Sequence, residues 1–408
     1  MNKGPDTKFS REWKIVVARD FEEIEAIRPI WEQMRRNEPH ATPDTDIDKY
    51  LSIIRARGDD IQPHVMLIEH NDQPSAMTIG RIWKRQLKLK LGYKVLFRPS
   101  LRCLSIVYGG ILGQPEGELC SLLVGELMKQ LRSREVDMVY FNHLRTGTAF
   151  YQAVSKTPGF LTQGHFPEID EHWCMSVPEK MEQFYLARSR GHRHNLRRTV
   201  SKFEEEYPGE NQFINYTTKS EVDDFIRIST DISSKTYQRA LGSGIVDDEQ
   251  TKCLMTAAAR HGWFRGHILF AGDKPCAFQL GVHYKKVYYM DSVGYDPALS
   301  SYKPGTILFL KVLESLCNDS SIDKIDFYFG DAEYKRRYGT ERWPEACISI
   351  FAPRAYPVLV NILQSFMLRL SLGIKFVLSR TDSIDWVKRR WRNFLQIKNL
   401  GSKRWFGI

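Results

Sequence analysis

Two rhythms of apolar residues alternate along this chain. A period near 3.6 at Ile24, Ile27, Ile30, Trp31 and Met34 predicts a helix over 21–36, after a short strand over 13–17. A second helix is expected over 47–57, beyond the loop marked by Pro39 and Pro43. Alternating and β-branched runs then predict strands over 64–69, 75–83, 94–97 and 101–108, with Asn71-Asp72 as the first turn. Gly109-Gly110 and the glycines at 113 and 117 are expected to end the last of these. A helix over 118–133 and a strand over 137–142 close this half.

The second half repeats the order. Helical spacing covers 178–207, 219–239 and 247–261. A meander of strands follows over 263–271, 274–284 and 286–294, turning at Gly272-Asp273 and at Tyr284-Lys285-Lys286. A helix over 304–318 and a strand over 324–329 complete it. The stretches beginning at Leu122 and Ile307 share one order: helix, polar gap, then an Asp-led strand rich in Tyr and Phe. Two copies of one α/β unit are therefore expected, joined near 164–177.

Composition changes this picture little. The 408 residues suffice for two domains, and 42% hydrophobic with 26% charged is globular. The seven cysteines are scattered without a CxxC pair, as expected of reduced, buried thiols in a cytosolic protein. The polar N-terminus predicts no signal peptide, and the lack of a charge-free run of 18 residues argues against a spanning helix.

Charge is more informative. From Ala352 to Ile408, eleven Lys/Arg face two Asp, so +9 of the net +10 lies in the tail. The nearly neutral body argues against a nucleic-acid partner. The tail interleaves Trp386, Trp391 and Trp405 with Lys388, Arg389, Arg390, Arg392, Lys403 and Arg404. Basic, Trp-bearing amphipathic segments suit an anionic membrane surface, although helices packed on the body with solvated charges fit the same pattern.

The candidate chemistry lies between Val287 and Gly339. A Tyr-rich strand leads through a polar loop to Pro304-Gly305-Thr306, which opens a helix. Proline suits a first helical turn, and Gly305 lets a ligand approach the main chain. Free N–H groups and the helix dipole there favour a pyrophosphate, with Lys303 adding charge. An ordinary helix cap competes with this reading. Asp326, inside the next strand, needs a partner if buried. Gly330 ends that strand, where ligands collect in open α/β sheets. The Tyr334 phenol is a candidate acid for a leaving thiolate, and Lys335 is a candidate site for a substrate anion. Gln279, His283, Tyr289 and Asp291 stand near strand middles and are candidates for contact with an incoming amine or hydroxyl, with Asp291 or Asp326 as base or orienter. The basic run 188–202 reads first as a solvated helix face balanced by Glu204, Glu205 and Glu206, and second as an entry for an anionic substrate.

The order Tyr-rich strand, Tyr295-Asp296-Pro297, Pro304-Gly305, long helix, Asp326, Gly330, Tyr334-Lys335 resembles the BioF-type, cellulose-biosynthesis-associated branch of the GNAT acyltransferases. The likeness is best over 171–351 and diffuse over 11–165. It implies an α/β fold of two tandem GNAT-like units. Each would be a mixed, mostly antiparallel sheet flanked by helices: 11–170, degenerate, and 171–352, the acyltransferase unit. A basic helical tail over 353–408 follows. The resemblance also implies acyl-coenzyme A, with acetyl-coenzyme A the expected form, at Lys303, Gly305 and Thr306, and no metal. SSYKPGT stands where GNAT proteins usually carry R/Q-x-x-G-x-G/A, and this branch usually shows the shorter loop.

The expected function is direct acyl transfer to an amine or hydroxyl of a small molecule, sugar, or polysaccharide or lipid precursor. No Cys/His or Ser/His pairing points to a covalent intermediate. The expected location is cytoplasmic, with peripheral contact at the inner membrane surface through 356–408. Two rivals are a Fem-like aminoacyl or peptidyl transferase, and a non-catalytic membrane-surface adaptor that keeps the fold.

Overall fold

The computed structural model describes residues 13–92, 94–209, 213–236 and 244–380. Two compact units divide the chain, one over Met1–Ile169 with Pro344–Lys375, the other over Asp170–Trp343 with Phe376–Ile408. The Trp-rich basic segment beyond 380, and residues 237–239 of an expected helix, lie outside the described residues.

The first unit opens with β1 (Trp13–Ala18), α1 (Phe21–Ala26) and α2 (Arg28–Asn37). The single helix expected over 21–36 is thus broken at Ile27. Pro29 lies in the first turn of α2, where its missing N–H costs least, and Asp20 caps α1 through the Glu23 N–H. After α3 (Ile47–Arg57) come β2 (Ile61–His70) and β3 (Gln73–Gln86). Asn71 and Asp72 both take left-handed φ, of 50° and 58°, which matches the twist of a two-residue hairpin. A separate two-stranded ribbon, β4 (Leu89–Leu91) and β5 (Lys94–Phe97), precedes β6 (Ser100–Leu112).

β6 does not end at the glycine pair. Gly109, with φ 69°, passes the strand through an irregularity against β3, and a Cβ on Gly110 would lie 2.7 Å from the Ile79 carbonyl oxygen. These glycines permit close strand contact instead of terminating it. The unit continues through α4 (Gly117–Arg132), β7 (Met138–Arg145) and α5 (Ala149–Lys156). Its strands order as β1-β2-β3-β6-β7, completed by β14 (Glu341–Phe351), which returns from beyond the second unit to pair antiparallel with β7.

The second unit runs β8 (Glu168–Ser176), α6 (Met181–Leu186), α7 (Arg190–Glu206), β9 (Phe213–Tyr216), α8 (Val222–Lys235) and α9 (Glu249–Arg260). The meander β10 (Phe264–Ala271), β11 (Lys274–Tyr284) and β12 (Val287–Tyr295) follows, then α10 (Pro304–Cys317), β13 (Lys324–Phe329) and α11 (Glu333–Tyr338). Its strand order is β8-β13-β12-β11-β10-β9.

Both units share one plan. An antiparallel run ends in a parallel pair joined by a helical crossover, β6-α4-β7 in one and β12-α10-β13 in the other. The crossover helix is apolar on the face that meets the sheet: Leu123, Val124, Leu127 and Leu131 in α4, Ile307, Leu308, Leu310 and Leu313 in α10. Burying such a residue stabilises by roughly 1.5–3 kcal/mol, which is what holds each crossover down. An antiparallel strand then flanks the second parallel strand, β14 beside β7 and β8 beside β13. A final helix, α12 (Ala355–Arg380), follows β14.

Candidate active site

The second unit opens where β12 and β13 part. They pair in parallel at Val287–Lys324, Tyr288–Ile325 and Tyr289–Asp326. β12 runs on to Tyr295 and β13 to Phe329 without further pairs between them among the described residues. Two irregularities accompany the parting. Gly281 pairs with Met290 and Leu280 with Ser292, so Asp291 is the extra, bulged residue of β12. On the other side, β13 shifts register against β8 between Asp326 and Phe329. A bulge bends its strand and adds twist, which swings the two strands apart.

Tyr328 sits at the second shift with φ 56°, an unusual conformation for an aromatic residue. The Asp326 carboxylate holds it there by accepting from the Tyr328 N–H at 2.7 Å. The same Oδ1 bonds His172 Nε2 at 2.9 Å, and the His172 ring stacks on Trp343 with centroids 4.5 Å apart. Cys174 lies two residues along β8, and its thiol is pushed up by burial. Ligand atoms of His172, Cys174 and Asp326 lie within 4.8 Å of one another, near enough to hold one metal ion. The His172–Asp326 bond already provides each with a partner, so the cluster is also complete as a hydrogen-bonded support for the strained turn. Nothing in the sequence marked His172, because its partner is 154 residues away.

Lys335 is drawn in over this point. Its ammonium donates to the Phe329 carbonyl at 2.6 Å, and burial lowers its pKa to about 8 against the pull of Asp326 and Asp170. Tyr334, its neighbour on α11, packs edge-on to Phe327, with centroids 6.0 Å apart. Burial alone pushes its phenol up to about 12. Tyr289 is buried beside Tyr328. Thus Tyr289, Asp326, Tyr334 and Lys335 gather where the strands part.

Other sequence candidates lie elsewhere. Gln279 is buried and donates to the Tyr288 hydroxyl at 2.9 Å, while His283 Nδ1 lies 3.0 Å from Arg265. Asp291 is exposed on the bulge. Lys303, Gly305 and Thr306 stand at the far end of β12, at the start of α10. Lys303 is the left-handed N-cap residue with φ 53°, and no side chain caps the helix. The Thr306 N–H, expected to be free, donates to the Lys303 carbonyl at 2.9 Å. Gly305 is exposed, its φ is not left-handed, and a Cβ there would meet only Tyr295 at 3.4 Å, an ordinary contact. The fold itself does not require glycine at this position. With no side chain of its own, exposed Gly305 leaves the main chain at this uncapped helix opening open to close approach, so the residues present fit a phosphorylated group there.

The basic run forms much of α7, and three of its charges have partners within the unit. Arg197 pairs with Glu182 at 3.2 Å, Lys202 lies over the Tyr302 ring, and Arg188 lies over Phe184.

A family model described as an acetyltransferase (GNAT) domain matches residues 190–336. No curated protein matched the chain. Among solved structures, FemX is 7% identical, covers 82% of this chain and 98% of its own, and superposes with a TM-score of 0.54. A tandem GNAT protein from the clavulanic acid biosynthesis pathway is 10% identical over 84% of this chain and 100% of its own, with a TM-score of 0.48. L-PGS from Bacillus licheniformis is 12% identical over 85% and 96%, with a TM-score of 0.46. At such identity the FemX likeness speaks for fold alone. Residues 190–336 therefore carry a GNAT acetyltransferase domain, and the chain is an enzyme of the acyltransferase type on a mixed α/β, GNAT-like fold.

Proposed function

We propose that this chain is an acyl-coenzyme A-dependent N- or O-acyltransferase of the BioF-type branch, active in its second unit. The acceptor is the amine or hydroxyl of a small molecule, a sugar, or a polysaccharide or lipid precursor. The first unit, over 11–170, serves as a non-catalytic companion. One observation carries the reading: the parallel pair β12–β13 opens after three residue pairs, and the uncapped start of α10 stands at the end of the opened strand.

Acyl-coenzyme A supplies an activated thioester when bound. Gly305 and Lys303 would hold its phosphates, the first by main-chain approach and the second by charge. Main-chain groups of β12 beyond Tyr289, released from pairing with β13, polarise the acyl carbonyl. Positioning of the acceptor beside it supplies much of the rate. The phenol of Tyr334, pushed up to about 12, stays protonated at neutral pH. Full proton transfer to a thiolate of pKa about 8.5 is uphill for such a phenol, so Tyr334 stabilises the leaving sulfur by a hydrogen bond. Asp326, tied to His172 and to the Tyr328 N–H, positions the turn, and Asp291, exposed on the bulge, is the candidate to receive the acceptor's proton.

Isothermal titration with coenzyme A tests the reading first, followed by thiol release from acetyl-coenzyme A against amine and sugar acceptors. Absence of heat at high micromolar coenzyme A would count against it. The second reading, Fem-like aminoacyl transfer, is consistent with the same fold, since the FemX likeness leaves the donor open. Transfer from labelled aminoacyl-tRNA, without coenzyme A binding, would select it.

A further inference from the structure

Helix α12 carries apolar residues on two faces. Pro357, Val360 and Met367 are buried, and Asn361 anchors the helix by donating to the carbonyls of Leu161 and Gln163. The other face is exposed and equally apolar: Tyr356, Leu359, Ile362, Phe366, Leu370 and Ile374 recur every three or four residues. Leu359 and Phe366 are each 61% exposed. The stripe is about 27 Å long at 1.5 Å per residue and holds no charge. A soluble surface rarely shows so long an apolar strip without a partner.

The same unit supplies the complementary chemistry. Ser371 on α12 accepts from the Gly92 N–H, in the turn of the β4–β5 ribbon. That ribbon exposes Leu96 and Phe97. It also exposes Lys88, Lys90, Lys94 and Arg98, and from Lys84 to Arg102 no acidic residue occurs. The chain beyond the helix continues basic and Trp-bearing. An apolar stripe flanked by unopposed cations and exposed aromatics is the pattern of a surface that inserts shallowly among anionic headgroups.

We propose that α12 and the β4–β5 ribbon form a membrane-docking face, with the helix lying in the interface of an anionic bilayer. By length and composition the segment Ala355–Ile374 is also able to cross a membrane. The Asn361 anchor and the buried Val360 and Met367 tie it to its own unit and favour the surface arrangement. A symmetric self-association through this face would bring two sets of cations together, which favours lipid over a second copy.

The test uses the full chain with vesicles of phosphatidylcholine alone and of phosphatidylcholine mixed with phosphatidylglycerol. Cosedimentation with the mixed vesicles, lost at high salt, is expected. Lys90→Ala with Lys94→Ala should lower partitioning about thirtyfold. Leu359→Glu with Phe366→Glu should lower it about a hundredfold or more. All four positions are exposed, and unchanged circular dichroism and melting would exclude misfolding. Equal binding to both vesicle types, or none to either, overturns the proposal. So does a dimer in sedimentation equilibrium that the Glu variants dissociate. Membrane fractions that release the protein only to detergent, and not to alkaline carbonate, overturn it in favour of a spanning helix. None of these readouts depends on acyl transfer.

Discussion

Replacing Gly305 by alanine separates a structural glycine from a ligand-binding one, because the two roles predict opposite signs. In the fold, the new Cβ meets only Tyr295 at 3.4 Å, so no clash is introduced. Alanine in place of glycine within a helix gains up to about 1 kcal/mol, and in the first turn roughly half of that. For a unit of this size, about 0.5 kcal/mol corresponds to a rise in melting temperature of about 1–2 °C. If the main chain here grips a phosphate, the methyl group keeps the anion from the Gly305 N–H. A hydrogen bond to a charged group is worth about 1.5–3 kcal/mol, so coenzyme A affinity should fall roughly tenfold to a hundredfold. Differential scanning calorimetry and isothermal titration on the same preparation measure both. A variant that melts slightly higher yet binds coenzyme A as tightly as the parent would refute the placement of the phosphates at α10.

Tyr334→Phe should leave folding intact, since the ring keeps its packing on Phe327, and lower kcat by about a hundredfold with little change in KM; steady-state kinetics decides. Asp326→Asn weakens its bonds to His172 and the Tyr328 N–H, and urea titration should record a loss of about 1.5–3 kcal/mol. Gly281→Ala would place a Cβ 2.3 Å from the Tyr288 ring beside the β12 bulge, and a loss of at least about 3 kcal/mol is expected in the same assay. Lys335 has its pKa lowered from 10.5 to about 8 in the folded protein, so between these values the unfolded chain holds more protons. Stability from this residue therefore rises with pH across that window, by up to about 3 kcal/mol, and is absent below it. Lys335→Met should flatten the rise in denaturation midpoints measured from pH 8 to 10.5.

Much of the second unit was legible because its signals are local. Tyr284-Lys285-Lys286 between alternating strands, Pro304 before an apolar helical run, and Asp323 before a strand each act within a few residues, and the elements formed there. Where one residue carried two meanings, the sequence misled. Gly109-Gly110 reads as a break, yet the neighbouring carbonyl of Ile79 makes it a close-contact site within β6.

The candidate site divides in the same way. Gly305, Asp326, Tyr334 and Lys335 were visible as residue types in a suggestive order. The partnership of Asp326 with His172, the strained Tyr328, and the carbonyls that hold Lys335 were not, since each depends on a contact set by the register of the sheet.

What the sequence determined by itself was the succession of elements, their doubling, and the concentration of positive charge toward the C-terminus. These rest on periodicity, turn chemistry and composition, which a chain carries before it folds. Tertiary structure alone decided that β14 crosses back to finish the first unit's sheet, that two bulges open β12 from β13, and that one apolar face of α12 is exposed among the described residues. Strand register and burial are properties of what lies beside a residue in space, and for β14 against β7 and β13 against β8 that neighbour lies well over a hundred positions away.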